Sequence, residues 1–381
     1  MRAETLILGG GIAGLSIARA LARSSDQRAG SGVTLLEAEP TFGVHSSGLN
    51  AAILRTAIDA PATRALALTT AEELRNPPED LGGRSFVDER GLVLLEGAPD
   101  APAPRWLADH EARGAIESLT LEQAAERLPG FVPEGSRAWW LPGGGRIDIQ
   151  RLLEALAESA ASAGVQLRTG TRAERILCDS DGRALGVQLA DGTTLEAERI
   201  VVANGGWAGQ LARTAGAAFP ARPTRRHLFV TVPDDSIDPN GPVIWDDVQG
   251  FYARPETGGL LVCLSDQDDC EPDSCAPDPM FWRVMERKLA TCLPHLAGVP
   301  RARGWAAMRT LTENDTPIVG ADPRVPGLFW AAALGGHGMS VSLGLGRVAA
   351  DAILGTTRDE DLLARLAPDH PERDYQPVRN W

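Results

Sequence analysis

Apolar residues along this chain follow two rhythms. ETLIL, VTLLE and RIVVA are unbroken runs of strand length, whereas Ile12, Leu15, Ile17, Ala18 and Leu21 recur at the spacing of one helix face. The segment ETLILGGGIAGLSIARALARS thus reads as strand, glycine turn and helix; with the polar loop Ser24–Gly32 and the strand VTLLE it makes a βαβ start. After the break NPPEDLGG, the run SFVDERGLVLLEG reads as two strand pieces around a turn and marks the exit from that first unit. SLTLEQAAERLPGF predicts a helix capped by Thr120 and ending before Pro129, and RIDIQRLLEALAESAASAGV a second helix closed by Gly164. The turn signals SDGR and ADGT then predict a small meander that ends in the buried strand RIVVA. RRHLFVTVP, GFYARPE and GGLLVCLS add strands, and an acidic loop rich in Cys, Pro and Asp runs from Asp266 to Pro279. LFWAAALGGHGMSVSLGLGRVAADAILG closes the chain as strand, glycine turn and helix, with no internal repeat anywhere.

Composition narrows what such an α/β chain can be. Its 381 residues suit two domains or one elaborated domain, and 43% hydrophobic with 23% charged residues is ordinary for a soluble globular protein. A formal charge of −14 with no basic stripe argues against a nucleic-acid partner. Internal arginines can still dominate a pocket for an anionic substrate. No apolar run reaches the roughly 18 residues of a membrane span, and Glu4 and the clustered glycines argue against a secretory signal in Met1–Ala22. The five cysteines are odd in number and lack zinc-site spacing, so they read as reduced and structural, with no metal site. A cytoplasmic protein is expected; oligomeric state and peripheral membrane attachment stay open.

The first stretch with chemistry is Gly9-Gly10-Gly11-Ile12-Ala13-Gly14, a G-x-G-x-x-G directly after a strand and opening a helix. Missing side chains at Gly9, Gly11 and Gly14 let backbone N–H groups and the positive helix end approach a pyrophosphate. Glu37, followed by Ala38, closes the next strand roughly 20 residues on, where a carboxylate accepts hydrogen bonds from a ribose. This start does not separate NAD from FAD. The stretch GVHSSGLNAAILRT that follows could cradle the reactive part of a cofactor, supply a catalytic His45, or simply turn the chain.

The ordered set GGGIAG, LLEAE, HSSGLNAA, GRIDIQRLLEAL, TRAERI, RIVVANGGWAGQLA, GWAAMRTLTENDTPIVG and ALGGHGMSVS resembles the D-amino-acid oxidase/glycine oxidase/sarcosine oxidase superfamily of FAD-dependent oxidoreductases, closest in pattern to D-arginine dehydrogenase-like members. The resemblance covers nearly the whole chain. It implies a Rossmann-like FAD-binding domain (1–82, 145–215 and 300–381) with an inserted mixed-sheet α+β substrate-binding domain (83–144 and 216–299). By this resemblance Glu37 holds the adenosine ribose and the Ala173 backbone meets adenine, with Gly205 of ANGG also on the cofactor path. The loop would run along pyrophosphate and isoalloxazine, Ser46, Ser47, Asn50 and Ala51 offering hydroxyl, amide and backbone hydrogen bonds. His45 sits in a setting similar to that of relatives with covalently attached flavin, but its surroundings differ, and noncovalent FAD is expected. In GGHGMS, Gly336 gives room, while Gly338, Met339 and Ser340 begin a helix whose N–H groups can stabilise negative charge on reduced flavin.

On the substrate side the resemblance points to Arg309 as the carboxylate-binding guanidinium, joined by Arg226 and Tyr252. His337 stands where the helix start faces the flavin, with substrate contact and plain packing both open. Ile53, Ile58 and Gly91 replace a His, a Tyr and an acid of the D-arginine dehydrogenase pattern, so a smaller or more hydrophobic amino acid is expected instead of D-arginine. The implied activity is oxidation of the C–N bond of an amino acid or related amine by hydride transfer to flavin N5, giving an imine that hydrolyses to an oxo acid. Two alternatives are a 2-hydroxy-acid dehydrogenase using His45 or His337 as base, and a noncatalytic FAD subunit of a larger dehydrogenase.

Overall fold

The run RAETLIL lies in the middle of a sheet because apolar strands flank it on both sides. In this computed structural model, which describes residues 2–24, 32–97, 103–131 and 137–371, the strand Arg2–Leu8 pairs in parallel with Val33–Leu36 and with Thr194–Val202. Gln166–Arg168 extends the sheet beyond Val33–Leu36. Thr194–Val202 divides its edge: its first residues pair antiparallel with Ala184–Leu189, its last with the parallel strand Leu328–Ala332. Seven of the nine residues of the expected loop Ser24–Gly32 lie outside the described residues.

Alternation along these strands builds two cores. Ile7, Leu35 and Val201 face the helices Ile12–Ala22, Pro61–Arg75, Ile149–Ser162 and Gly338–Leu354. Leu6, Leu8, Leu36, Ile200 and Val202 point to the opposite side, toward the meander and the short helix Ala208–Arg213. The βαβ start, both capped helices and the meander form as expected: Thr120 closes a capping box with Gln123, and Asp148 caps Ile149–Ser162. Gly14 has a packing reason, since a Cβ there would overlap the Gly9 carbonyl oxygen, so the helix sits directly on the strand it follows. Gly344 lets helix Gly338–Leu354 sit close on helix Pro61–Arg75, since a Cβ there would lie 2.5 Å from the Leu66 carbonyl oxygen; a further helix, Glu360–Leu366, follows it.

A second, nine-stranded and mainly antiparallel sheet takes most of the remaining strands. Within SFVDERGLVLLEG the two pieces part: Val87–Asp88 joins Ile53–Leu54 and Gly145–Ile147 in a small third sheet, while Leu92–Glu96 enters the nine-stranded one. Arg301–Leu311, placed by the sequence boundaries with the cofactor segments, hydrogen-bonds along Arg222–Thr231 in the second sheet. The architecture is therefore a Rossmann-like α/β domain with a mixed-sheet α+β domain inserted into it. No helix among the described residues is long and apolar enough to cross a membrane.

Candidate active site

A cavity of about 540 Å³ is lined by residues of both sheets and by the starts of two helices. Its first end is built around Gly9, Gly11, Ile12 and Ala13, the N-terminus of helix Ile12–Ala22. Glu37 and Ala38 lie beside it, and Glu37 clamps the glycine turn, accepting from the Gly10 N–H at 2.6 Å and from the Glu39 N–H at 2.8 Å. Ala173 lines the wall within Thr171–Arg175, and Gly205 lines it next to Asn204, whose Oδ1 is buried without a partner. Gly14 is not on the wall; its role is the packing described above.

The loop after Glu37 lines the cavity from Gly43 to Ser47 and again from Asn50 to Ile53, yet its polar side chains are engaged within the protein. The Ser47 Oγ accepts from the Ile12 N–H at 2.9 Å and so serves the helix start from a distance of 35 residues. Ser46 donates to the Met308 carbonyl at 2.8 Å. The Asn50 amide donates to the carbonyls of Ser46 and Ser47 and its oxygen accepts from Ala52 N–H, bracing the turn at Ala52, where φ is +57°. These three side chains hold the loop in shape while lining the wall beside Ala51, and Ser47, among the described residues, keeps its own O–H free to donate. His45 is paired with Glu39, Nε2 to Oε1 at 3.0 Å, and packs against Trp207.

At the other end Gly336, His337, Gly338, Met339 and Ser340 line the wall where helix Gly338–Leu354 begins. His337 is its N-cap and gives no side-chain cap, so first-turn N–H groups face the cavity side. Ser340 ties this start to the loop, its Oγ donating to the Ile53 carbonyl and accepting from the Arg55 N–H at 3.1 Å.

Strand register explains how the basic side chains meet. Arg309 lies opposite Thr224, and Arg226 opposite Ala307, so the two arginines are diagonal neighbours on one face of an antiparallel pair. Leu228 and Tyr252 both lie opposite Cys263, and Trp245 opposite Tyr252, which carries the same face across three more strands. Arg309 is buried on the wall, with Nη1 donating to the Met308 carbonyl at 2.8 Å. Arg226 is off the wall, immediately behind Gly336: a Cβ on that glycine would stand 3.5 Å from its Nη1. Its Nε donates to the Asp266 carbonyl, and Asp266 is locked in turn by the backbone and ring of buried His227. The Asp278 N–H donates to His227 Nε2, so the proton on that ring is at Nδ1, toward Asp266.

Tyr252 is buried, stacks on Trp245 at 4.4 Å, and is held above its ordinary pKa chiefly by burial. His337 is pushed down to about 3 by burial and by the positive charges of Arg55, Arg226 and Arg309, so its imidazole is neutral. Arg55 is a site residue that the sequence reading passes over. It is buried, lines the cavity, and lies under Trp245 with its guanidinium carbon 4.5 Å from a ring centroid. A signal was there, because an arginine ending the apolar run AAIL must find acceptors inside the fold. Trp245, Met308 and Trp207 line the same cavity and carry no comparable sequence signal.

Comparisons with known proteins bear on the fold and the family. The chain is 27% identical over 372 residues to glycine oxidase of Geobacillus kaustophilus, covering 92% of this chain and 93% of that protein. It is 26% identical to a D-amino acid dehydrogenase of Methylobacterium sp., covering 92% and 95%. Among solved structures, L-proline dehydrogenase from P. horikoshii superposes with a TM-score of 0.84 at 22% identity over 98% of each chain. The glycine oxidase from Geobacillus kaustophilus gives 0.79 at 25% over 96% and 98%. The family model described as DAO, FAD dependent oxidoreductase, matches residues 4–352, and with so much of the chain inside it this protein belongs to the DAO family and is an FAD-dependent oxidoreductase.

Proposed function

We propose that this enzyme oxidises the C–N bond of an α-amino acid or related amine to an imine, which water hydrolyses to an oxo acid. The observation that carries the reading is the shared face of Arg309, Arg226 and Tyr252 at the end of the cavity where helix Gly338–Leu354 begins. Residues 1–82, 145–215 and 300–381 would carry FAD, and 83–144 with 216–299 the substrate, the strand Arg301–Leu311 serving both.

The residues at the first end fit a dinucleotide. A helix start lined by glycines suits a pyrophosphate, the Glu37 carboxylate beside it a ribose hydroxyl, and the buried, unpartnered Asn204 amide oxygen a hydroxyl of the polyol chain. Gly9, Gly11, Ile12, Ala13, Glu37, Ala38, Ala51, Ala173 and Gly205 would hold FAD there, and Gly336, Gly338, Met339 and Ser340 at the other end. His45, engaged by Glu39, supports noncovalent binding. When bound, FAD supplies the acceptor for the hydride of the α C–H.

The protein's own part is orientation and electrostatics. Arg309 has Nε and Nη2 outside any hydrogen bond among the described residues and can take a carboxylate side-on. Arg226, fixed by Asp266, adds positive charge from behind Gly336. These cations lower the pKa of a bound amine, so the neutral, oxidisable form is favoured without a dedicated base. His337, neutral and weakly basic, is poorly suited to deprotonate an alcohol, which disfavours the 2-hydroxy-acid alternative.

The test is anaerobic flavin bleaching of the purified holoenzyme with amino acids of both hands, amines and 2-hydroxy acids, with assay of ammonia and oxo acid. Bleaching and ammonia release by an amino acid or amine is expected. Bleaching by hydroxy acids alone, or by none of these compounds, overturns the reading. Acid precipitation should leave the pellet colourless.

A further inference from the structure

Arg55 is a buried cation on the cavity wall held from three sides. Its Nε donates to the Ala57 carbonyl at 2.8 Å, its Nη2 to Asp247 Oδ2 at 2.8 Å, and its flat face meets Trp245. Its Nη1 makes no hydrogen bond among the described residues. A guanidinium ordered this closely has little freedom left to lose on binding, and its remaining N–H groups can be offered to an acceptor in the cavity.

The companion acid does not offer the reverse. Asp247 Oδ1 accepts from Trp245 Nε1 at 2.7 Å and Oδ2 from Arg55, so each carboxylate oxygen already has a donor. The unfilled hydrogen-bonding position on the guanidinium is therefore the Nη1 donor, which an acceptor in the cavity, best an anionic one, can take. Arg55 is also separate from Arg309: one stands on the loop after Ile53–Leu54, the other on Arg301–Leu311, and Trp245 and Tyr252 are stacked on the wall between the two sets of contacts. A ligand with one carboxylate on Arg309 leaves Arg55 unanswered.

We infer that Arg55 is a second anion-binding position, and that the preferred substrate is an amino acid carrying a second carboxylate. This rests on the amino-acid reading above, with Arg309 taking the α-carboxylate and Arg55 the distal one. It departs from the smaller or more hydrophobic substrate that Ile53 and Ile58 suggest, because Arg55 lines the same cavity as Ile53 whereas Ile58 is off its wall.

Binding and turnover test it separately. Holoenzyme is titrated with malonate, succinate and glutarate and with the monomethyl ester of each, reading the change in flavin absorbance. The best diacid should bind at least about tenfold tighter than its monoester, the ratio falling below about threefold in Arg55→Gln and lying between in Arg55→Lys. Equal binding of diacid and monoester by the wild type, or a ratio that survives Arg55→Gln, overturns the assignment. Should Arg55→Gln fail to retain FAD, the wild-type ratio and the Arg55→Lys variant decide the matter. In parallel, aspartate and glutamate are compared with asparagine and glutamine in anaerobic bleaching. Selective binding of diacids with no bleaching by any amino acid leaves Arg55 assigned and sinks the amino-acid reading. Bleaching by amino acids with no preference for the diacids over their amides does the opposite.

Discussion

The two ends of the cavity are made in different ways. The end at Gly9–Ala13 comes from neighbouring stretches of chain: a strand, its glycine turn, the helix that follows and Glu37 on the next strand. The arginine end draws Arg55, Arg226, Trp245, Tyr252 and Arg309 from five separate strands or loops, and strand register brings all but Arg55 to one face. The first end uses backbone N–H groups, which any sequence provides where glycines clear the way. The second uses side chains, so its specificity can change through single residues while the cofactor end stays as it is.

Substitutions at each end should therefore part company. The largest effect is expected for Gly14→Val, whose side chain would meet the Gly9 carbonyl; overpacking of more than about 3 kcal/mol should remove both FAD and cooperative unfolding, read from flavin absorbance per chain and thermal melts. Next, Arg309→Leu should lower kcat/KM by about 10³-fold while FAD content stays at the wild-type level. Loss of FAD in that variant would mean that the two ends are not independent.

Glu96 sharpens the comparison through pH. It lies in the second sheet, its Oε2 buried without a partner, and burial together with Asp247 pushes its pKa up to about 7. Between about 4.5 and 7 the folded protein keeps a proton that the unfolded chain has lost, so stability falls as pH rises through that window and is not regained above it. Glu96→Gln should remove this slope and raise stability at pH 8 by about 1–3 kcal/mol, measured by denaturant unfolding. A slope that persists in the variant assigns the effect to another group. The smallest effect is at the cofactor end: Ser47→Ala removes the acceptor for the Ile12 N–H and should cost about 1 kcal/mol, seen as a melting temperature lower by about 2 °C.

The contrast also explains what could be read in advance. The βαβ start, the capped helices Leu121–Arg127 and Ile149–Ser162, the meander and helix Gly338–Leu354 were legible because periodicity, caps and turn residues are local signals. Pro61–Arg75 and Arg301–Leu311 stood out less. In the former, Ala and Thr fill most of the buried face, and the latter turns from exposed to buried along its length. Within the site, Glu37 and Arg309 were legible and line the cavity, whereas Gly14 and Arg226 lie off its wall. In the loop Ser46, Ser47 and Asn50 were legible and line the cavity, whereas their hydrogen bonds to the protein's own backbone come from partners distant in the chain or from the shape of the turn.

The α/β architecture and the glycine-rich cofactor end were thus written in the sequence, since each rests on residues close together or on a spacing that repeats. Folding alone puts Arg55 on the cavity wall, sets Arg226 behind Gly336 and keeps His337 neutral. Those outcomes depend on which strands pair and in what register, and on how much water each charge has lost, quantities that arise only when distant segments meet.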